Sequence, residues 1–143
     1  MPTRKILTIA IASAALSGCV PIPNLHYFAP AVSGVVMRGD VPVAGAEVFV
    51  SGAFSKEVRV GSTDREGRFS TESIRELRLT AFILGDPLYG YTVKIVDGGE
   101  TYDGFAWMAV GDGPKEVKMV CDLSRPIQVG SAHRLCRWDG VAA

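Results

Sequence analysis

The sequence predicts an all-β sandwich of about seven to eight strands, and three observations carry that prediction. Apolar residues alternate with polar or small ones at a period of two through successive runs. The runs are broken at short, regular intervals by Gly, Asp and Pro. Glycine is abundant, at 16 of 143 residues, which suits many tight turns, and the length is that of one domain.

The elements follow in order. Val32, Gly34 and Val36 face one way and Ser33, Val35 and Met37 the other, so one face packs on a core. After a Gly39-Asp40 turn, Pro42 presets φ before a second strand and Gly45 permits a bend. There Ala46, Val48 and Val50 alternate with Glu47, Phe49 and Ser51. A third run places Val58 and Val60 between Glu57, Arg59 and Gly61. Asp64-x-x-Gly67 predicts a turn in which the Asp carboxylate accepts from the backbone and Gly67 takes the left-handed position, leaving Phe69 to anchor the core. Residues 73–84 admit two readings. Ser73-x-x-Glu76 resembles a capping box, whereas Leu77, Leu79, Ala81 and Ile83 alternate as a strand does. The alternation favours a turn over 73–75 followed by a strand. Residues 91–96 form a strand, Asp97-Gly98-Gly99 a hairpin turn, and 101–110 pair back. After the 111–114 turn, residues 115–122 set Val117, Met119 and Cys121 on one face.

Charge excludes one class of function. The formal net charge is zero, no long run carries one sign, and there is no basic footprint for nucleic acid. No glycine-rich phosphate loop or His-Glu-x-x-His pattern occurs, and no cofactor is expected. Asp64 and Glu66 are too few for a calcium ion, which takes six to eight oxygens. The two histidines are His26 and His133. A hydrolase built on His133 with Asp122 or Asp139 is the alternative to a non-enzymatic chain. Its case is weak, because Ser131 and Asp139 merely flank His133 in sequence and no nucleophile elbow is present.

The amino terminus reads as an export device. Arg4 and Lys5 precede an apolar run over residues 6–16, too short for a bilayer span of about twenty residues. It ends in Leu16-Ser17-Gly18-Cys19, which resembles the lipobox of bacterial lipoproteins. The resemblance implies a signal peptide over 1–18, lipidation at Cys19, several acyl chains including palmitate, and a durable membrane anchor. Val20 stands where an Asp would imply inner-membrane retention, so the resemblance implies the outer membrane, facing the periplasm. The mature chain then holds 13 basic and 15 acidic residues, a balance of −2 once Arg4 and Lys5 leave the 15 basic residues. Residues 19–30 carry three prolines after Cys19 and predict an extended tether rather than a helix or a central strand. Its apolar residues Ile22, Leu25, Tyr27 and Phe28 either cover an edge of the domain or form a partner strip, and the first reading is preferred.

The expected domain, residues 31–143, is similar to the carboxypeptidase regulatory-like domain family through motifs that span residues 34–69, and the remainder matches only in rhythm. The matching parts are Gly34-Val35-Val36, then Pro42-Val43-Ala44-Gly45-Ala46-Glu47-Val48, then Thr63-Asp64-Arg65-Glu66-Gly67-Arg68-Phe69. The resemblance implies a Greek-key sandwich of the prealbumin (transthyretin-like) type. It implies no peptidase activity. Hydroxyisourate hydrolases share that fold, but their Tyr-Arg-Gly-Ser ending is absent here, where the chain ends Gly140-Val141-Ala142-Ala143.

With Cys19 assigned to lipid, Cys121 and Cys136 remain, and in an oxidising compartment they are expected to form a disulfide that staples the tail. The competing use, a metal site of Cys121, His133 and Cys136, lacks a clear fourth ligand. The expected function is that of a non-enzymatic cell-envelope lipoprotein, a binding or adaptor module for protein or glycan contacts. Its expected partners are the membrane, through the lipid, and an envelope protein.

Overall fold

The structure is a computed structural model, and it describes residues 22–80, 88–124 and 135–139. Eleven strands lie in the described residues: β1 (Ile22–Ala29), β2 (Ala31–Arg38), β3 (Val41–Pro42), β4 (Glu47–Gly52), β5 (Val58–Ser62), β6 (Arg68–Thr71), β7 (Ile74–Thr80), β8 (Leu88–Asp97), β9 (Glu100–Val110), β10 (Glu116–Asp122) and β11 (Cys136–Trp138). The domain is all-β, with several antiparallel sheets in a sandwich-like arrangement. One sheet runs β11-β10-β2-β3 with β6 also on β2, a second runs β5-β4-β8-β9, and β1 and β7 form a two-stranded ribbon.

The alternation drives the layering. Val32 and Val36 of β2, Phe69 of β6, and Val117, Met119 and Cys121 of β10 are buried from one side. Val48 and Val50 of β4, Tyr91, Val93 and Ile95 of β8, and Phe105 of β9 are buried from the other, in one continuous core. The β8–β9 hairpin closes through Gly98-Gly99 as the turn signal predicts, with Asp97 opposite Glu100. The register shifts between Val93 and Lys94, which oppose Phe105 and Asp103, so Gly104 is the extra residue of a bulge.

The Asp64 turn forms as its residues dictate. The Asp64 Oδ1 accepts from the Glu66 and Arg68 amides at 3.0 and 2.8 Å, and Gly67 sits at φ 72°. Phe69 then points into the core, 5% exposed.

Three features depart from the sequence expectations. The described part of the expected tether, residues 22–29, is strand β1, paired antiparallel with β7 from Ile22↔Thr80 to Ala29↔Ile74. Phe28 and Ala29 are buried, so this segment contributes to the core it was expected at most to cover. Pro30 then separates β1 from β2, and the chain passes from ribbon to sheet at a residue that has no amide hydrogen to place. Second, β7 starts at Ile74, inside the expected turn over 73–75, because Ile74 is drawn into the core and is 1% exposed. Third, β5 inverts its pattern: Val58 and Val60 are exposed and Arg59 turns inward. Gly61 shares the face of Arg59, and a Cβ there would lie 2.8 Å from the Ser70 carbonyl oxygen. The close approach of β5 to β6 therefore needs Gly61 inside, and the period of two sends both valines out.

The β2–β10 pairing is parallel, from Glu116↔Ala31 to Asp122↔Met37, and joins the two ends of the domain. Cys121 and Cys136 lie directly opposite one another across β10 and β11 and form a disulfide with an S–S distance of 2.00 Å. The expected bond is present, and it is buried. The expected loop at 85–87 and the expected strand beyond residue 80 lie outside the described residues.

Candidate contact surfaces

The outer face of the β5-β4-β8-β9 sheet is set by register. Tyr89, Tyr91, Val93 and Ile95 point inward, so Leu88, Gly90, Thr92 and Lys94 point outward. Across β9, Leu88 faces Val110 and Gly90 faces Met108. Across β4, Thr92 faces Ser51, and their hydroxyls are hydrogen-bonded at 2.7 Å. On β5, Val58 faces Ser51 and Val60 faces Phe49. Val58, Val60, Leu88, Met108 and Val110 are each 47–68% exposed, and Phe49 is half-buried among them. The Lys94–Asp103 ion pair, 3.6 Å apart, lies on this face beside Phe49, which Lys94 opposes across β4. Such a face can bury apolar surface against another macromolecule.

A cleft of about 310 Å³ lies between β1 and the turn before β10, lined by Leu25, His26, Tyr27, Tyr89, Asp112 and Lys115 among others. The Tyr89 hydroxyl donates to the Pro114 carbonyl at 2.9 Å, and burial, with Tyr91 adding to it, raises its pKa well above 10.0. That hydroxyl therefore serves as a neutral staple for the turn. The Lys115 ammonium sits 5.5 Å above the Tyr27 ring. His26 packs edge-on to Phe28 at 4.7 Å.

The residues named for chemistry are placed as follows. Asp122 is occupied as a turn acceptor, taking the Gly39 amide at 3.0 Å, the Ser124 amide at 3.0 Å and the Ser124 hydroxyl at 2.7 Å. Asp139 continues the β10–β11 pairing, its amide donating to the Lys118 carbonyl at 2.8 Å. Cys19, Ser131 and His133 lie outside the described residues. The metal site of Cys121, His133 and Cys136, already disfavoured by the sequence, loses both sulfurs to the disulfide, which presents no thiolate. Among the described residues no group of three or more His, Cys, Asp and Glu is placed to hold a metal ion, and no helix is long and apolar enough to cross a membrane.

Sequence reading did not find the outer face. The alternation that would reveal it was visible, but which half of each strand points outward depends on Gly61 and on the cross-strand register. The chain matches no known family model and no curated protein sequence.

Proposed function

We propose that the chain is a non-enzymatic, lipid-anchored contact module of the cell envelope. Its domain is a prealbumin-like sandwich of the carboxypeptidase regulatory-like kind, held through Cys19 at the outer membrane facing the periplasm. It works by presenting the outer face of the β5-β4-β8-β9 sheet to an envelope protein. The observation that supports this most is the exposed apolar set on that face, from Val58 and Val60 to Met108 and Val110. The Ser51–Thr92 pair and Lys94 divide this set into two apolar edges, and exposed apolar groups rimmed by polar ones suit a partner that covers both. The occupied state of Asp122 and the loss of both thiolates to a disulfide favour contact over catalysis.

Two measurements test the reading. Metabolic labelling with a palmitate analogue should mark the protein, and Cys19→Ser should abolish the label and release the chain from the membrane fraction. An unlabelled protein removes the anchor. A photo-crosslinker placed at Met108 in intact envelopes should yield one dominant adduct that Val60→Lys and Val110→Lys diminish. Crosslinking that these substitutions leave unchanged removes the sheet face as the contact surface.

A further inference from the structure

The β1–β7 ribbon carries an exposed leucine pair that the core does not explain. Leu25 and Leu77 face each other across it and are 44% and 69% exposed. Two residues further along each strand, on the same face, Tyr27, half-buried where the ribbon meets the core, is opposite Arg75, and the Lys115 ammonium rests over the Tyr27 ring. The opposite face is different in kind: Arg78 lies over Phe28 at 4.7 Å and is paired with Glu76 at 3.2 Å, so its charge is already answered. One face therefore has an apolar rung, then an aromatic rung flanked by two cations, separated by about 7 Å along the strands.

Only Val20 and Pro21 separate Cys19 from the start of β1. Three residues reach at most about 10 Å, and six at most about 20 Å, so a lipid on Cys19 holds Leu25 within about 20 Å of the bilayer surface. We infer that the Leu25–Leu77 face of the ribbon lies on the anionic phospholipid surface that carries the anchor, with both leucines in the interface and Arg75 and Lys115 at the lipid phosphates. This rests on the lipid-anchor reading above. The order of groups matches the order of the medium. Apolar side chains enter the acyl boundary over a depth of about 5–10 Å, while aromatic rings and cations belong at the headgroups. An anionic leaflet attracts the two cations, and one face of the ribbon supplies both terms. The domain is thereby oriented by its ribbon as well as held by its lipid.

The test uses the mature protein purified from membranes and reconstituted in vesicles of phosphatidylglycerol and phosphatidylcholine, with a nitroxide at Leu77→Cys or, as a control, at Val60→Cys. The ratio of oxygen to water-soluble nickel collisions should be about fivefold higher or more at position 77 than at position 60. Equal ratios, in a protein whose intact mass includes acyl chains on Cys19, overturn the ribbon and leave the anchor standing. An intact mass without acyl chains removes the anchor, and the same protein is then floated with the vesicles. Co-flotation that Leu25→Asn/Leu77→Asn lowers about tenfold, at an unchanged melting temperature, retains the ribbon as a lipid-binding surface. Absent co-flotation, or co-flotation indifferent to that double variant, overturns it.

Discussion

Trp138 donates its indole Nε1–H to the Tyr91 hydroxyl at 3.1 Å, joining the last strand of one sheet to the centre of the other. Trp138 also stacks at 5.8 Å between the rings of Phe105 and Trp107. A short edge strand of three residues is thus tied to the facing sheet by one polar bond and two ring contacts. Trp138→Phe keeps an aromatic body and loses the donor. It should lower unfolding stability by about 1 kcal/mol, read from urea midpoints at constant slope. Trp138→Ala should cost more, since the ring contacts go too. Equal effects for the two variants would assign the stability to the hydrogen bond alone.

The Cys121–Cys136 bond closes a loop across a sequence separation of 15 and holds β11 against β10. Loop-closure entropy assigns it about 3 kcal/mol. Cys121→Ala/Cys136→Ala should lose roughly that amount in denaturant titration, and reductant should affect the wild type only after partial unfolding, because both sulfurs are buried. Rapid reduction of the folded protein at low denaturant would contradict that burial.

How much of this was legible in sequence depends on the range of the interaction. Asp64 to Gly67 is a local turn, and residue identity alone determines its hydrogen bonds and its positive φ. The β8–β9 hairpin is likewise local and was read from its Gly98-Gly99 turn. The disulfide was legible because the expected assignment of Cys19 to lipid left two thiols, Cys121 and Cys136. By contrast, β1 pairs with β7 across some fifty residues, and a proline-rich composition gave no signal for it. The outward turn of Val58 and Val60 depends on the approach of β6 to Gly61, a tertiary contact that overrides local hydrophobicity. Leu25 and Leu77 were visible as residues but not as a pair, so the ribbon face could only follow from the fold.

Gly61 gives the direct test of that override. A methyl group there would lie 2.8 Å from the Ser70 carbonyl oxygen and 2.9 Å from the Thr71 Cγ2. The first neighbour is backbone and cannot rotate away. Gly61→Ala should therefore destabilise by about 1–3 kcal/mol, as overpacking does, despite the ordinary preference for alanine over glycine in regular structure. Gly98→Ala is an instructive comparison, because its Cβ meets nothing within 4 Å but its φ is 58°. Its cost should come from backbone strain alone, about 1 kcal/mol. A neutral Gly61→Ala would mean that β5 and β6 are further apart in solution.

Tyr89 gives a pH dependence with a definite sign. Burial, aided by Tyr91, raises its pKa above the ordinary 10.0, and its hydroxyl donates to the Pro114 carbonyl. Below about pH 10 the phenol is protonated in both folded and unfolded chains, and its contribution to stability is fully present. Above that pH the unfolded chain releases the proton first, so the folded state loses relative stability as pH rises. Tyr102 shares the direction, through its hydrogen bond to the Glu100 carboxylate, but its hydroxyl lies at the solvent-screened rim of the domain and the neighbouring Arg38 opposes the rise. Unfolding free energy measured between about pH 9 and 11 should therefore fall with pH in the wild type. Tyr89→Phe should be less stable at neutral pH by about 1 kcal/mol, having lost the bond to Pro114, yet show a flatter alkaline slope. Tyr102→Phe should leave the slope close to wild type. A Tyr89→Phe slope equal to wild type would place the alkaline sensitivity elsewhere and remove Tyr89 as the neutral staple of the 111–114 turn.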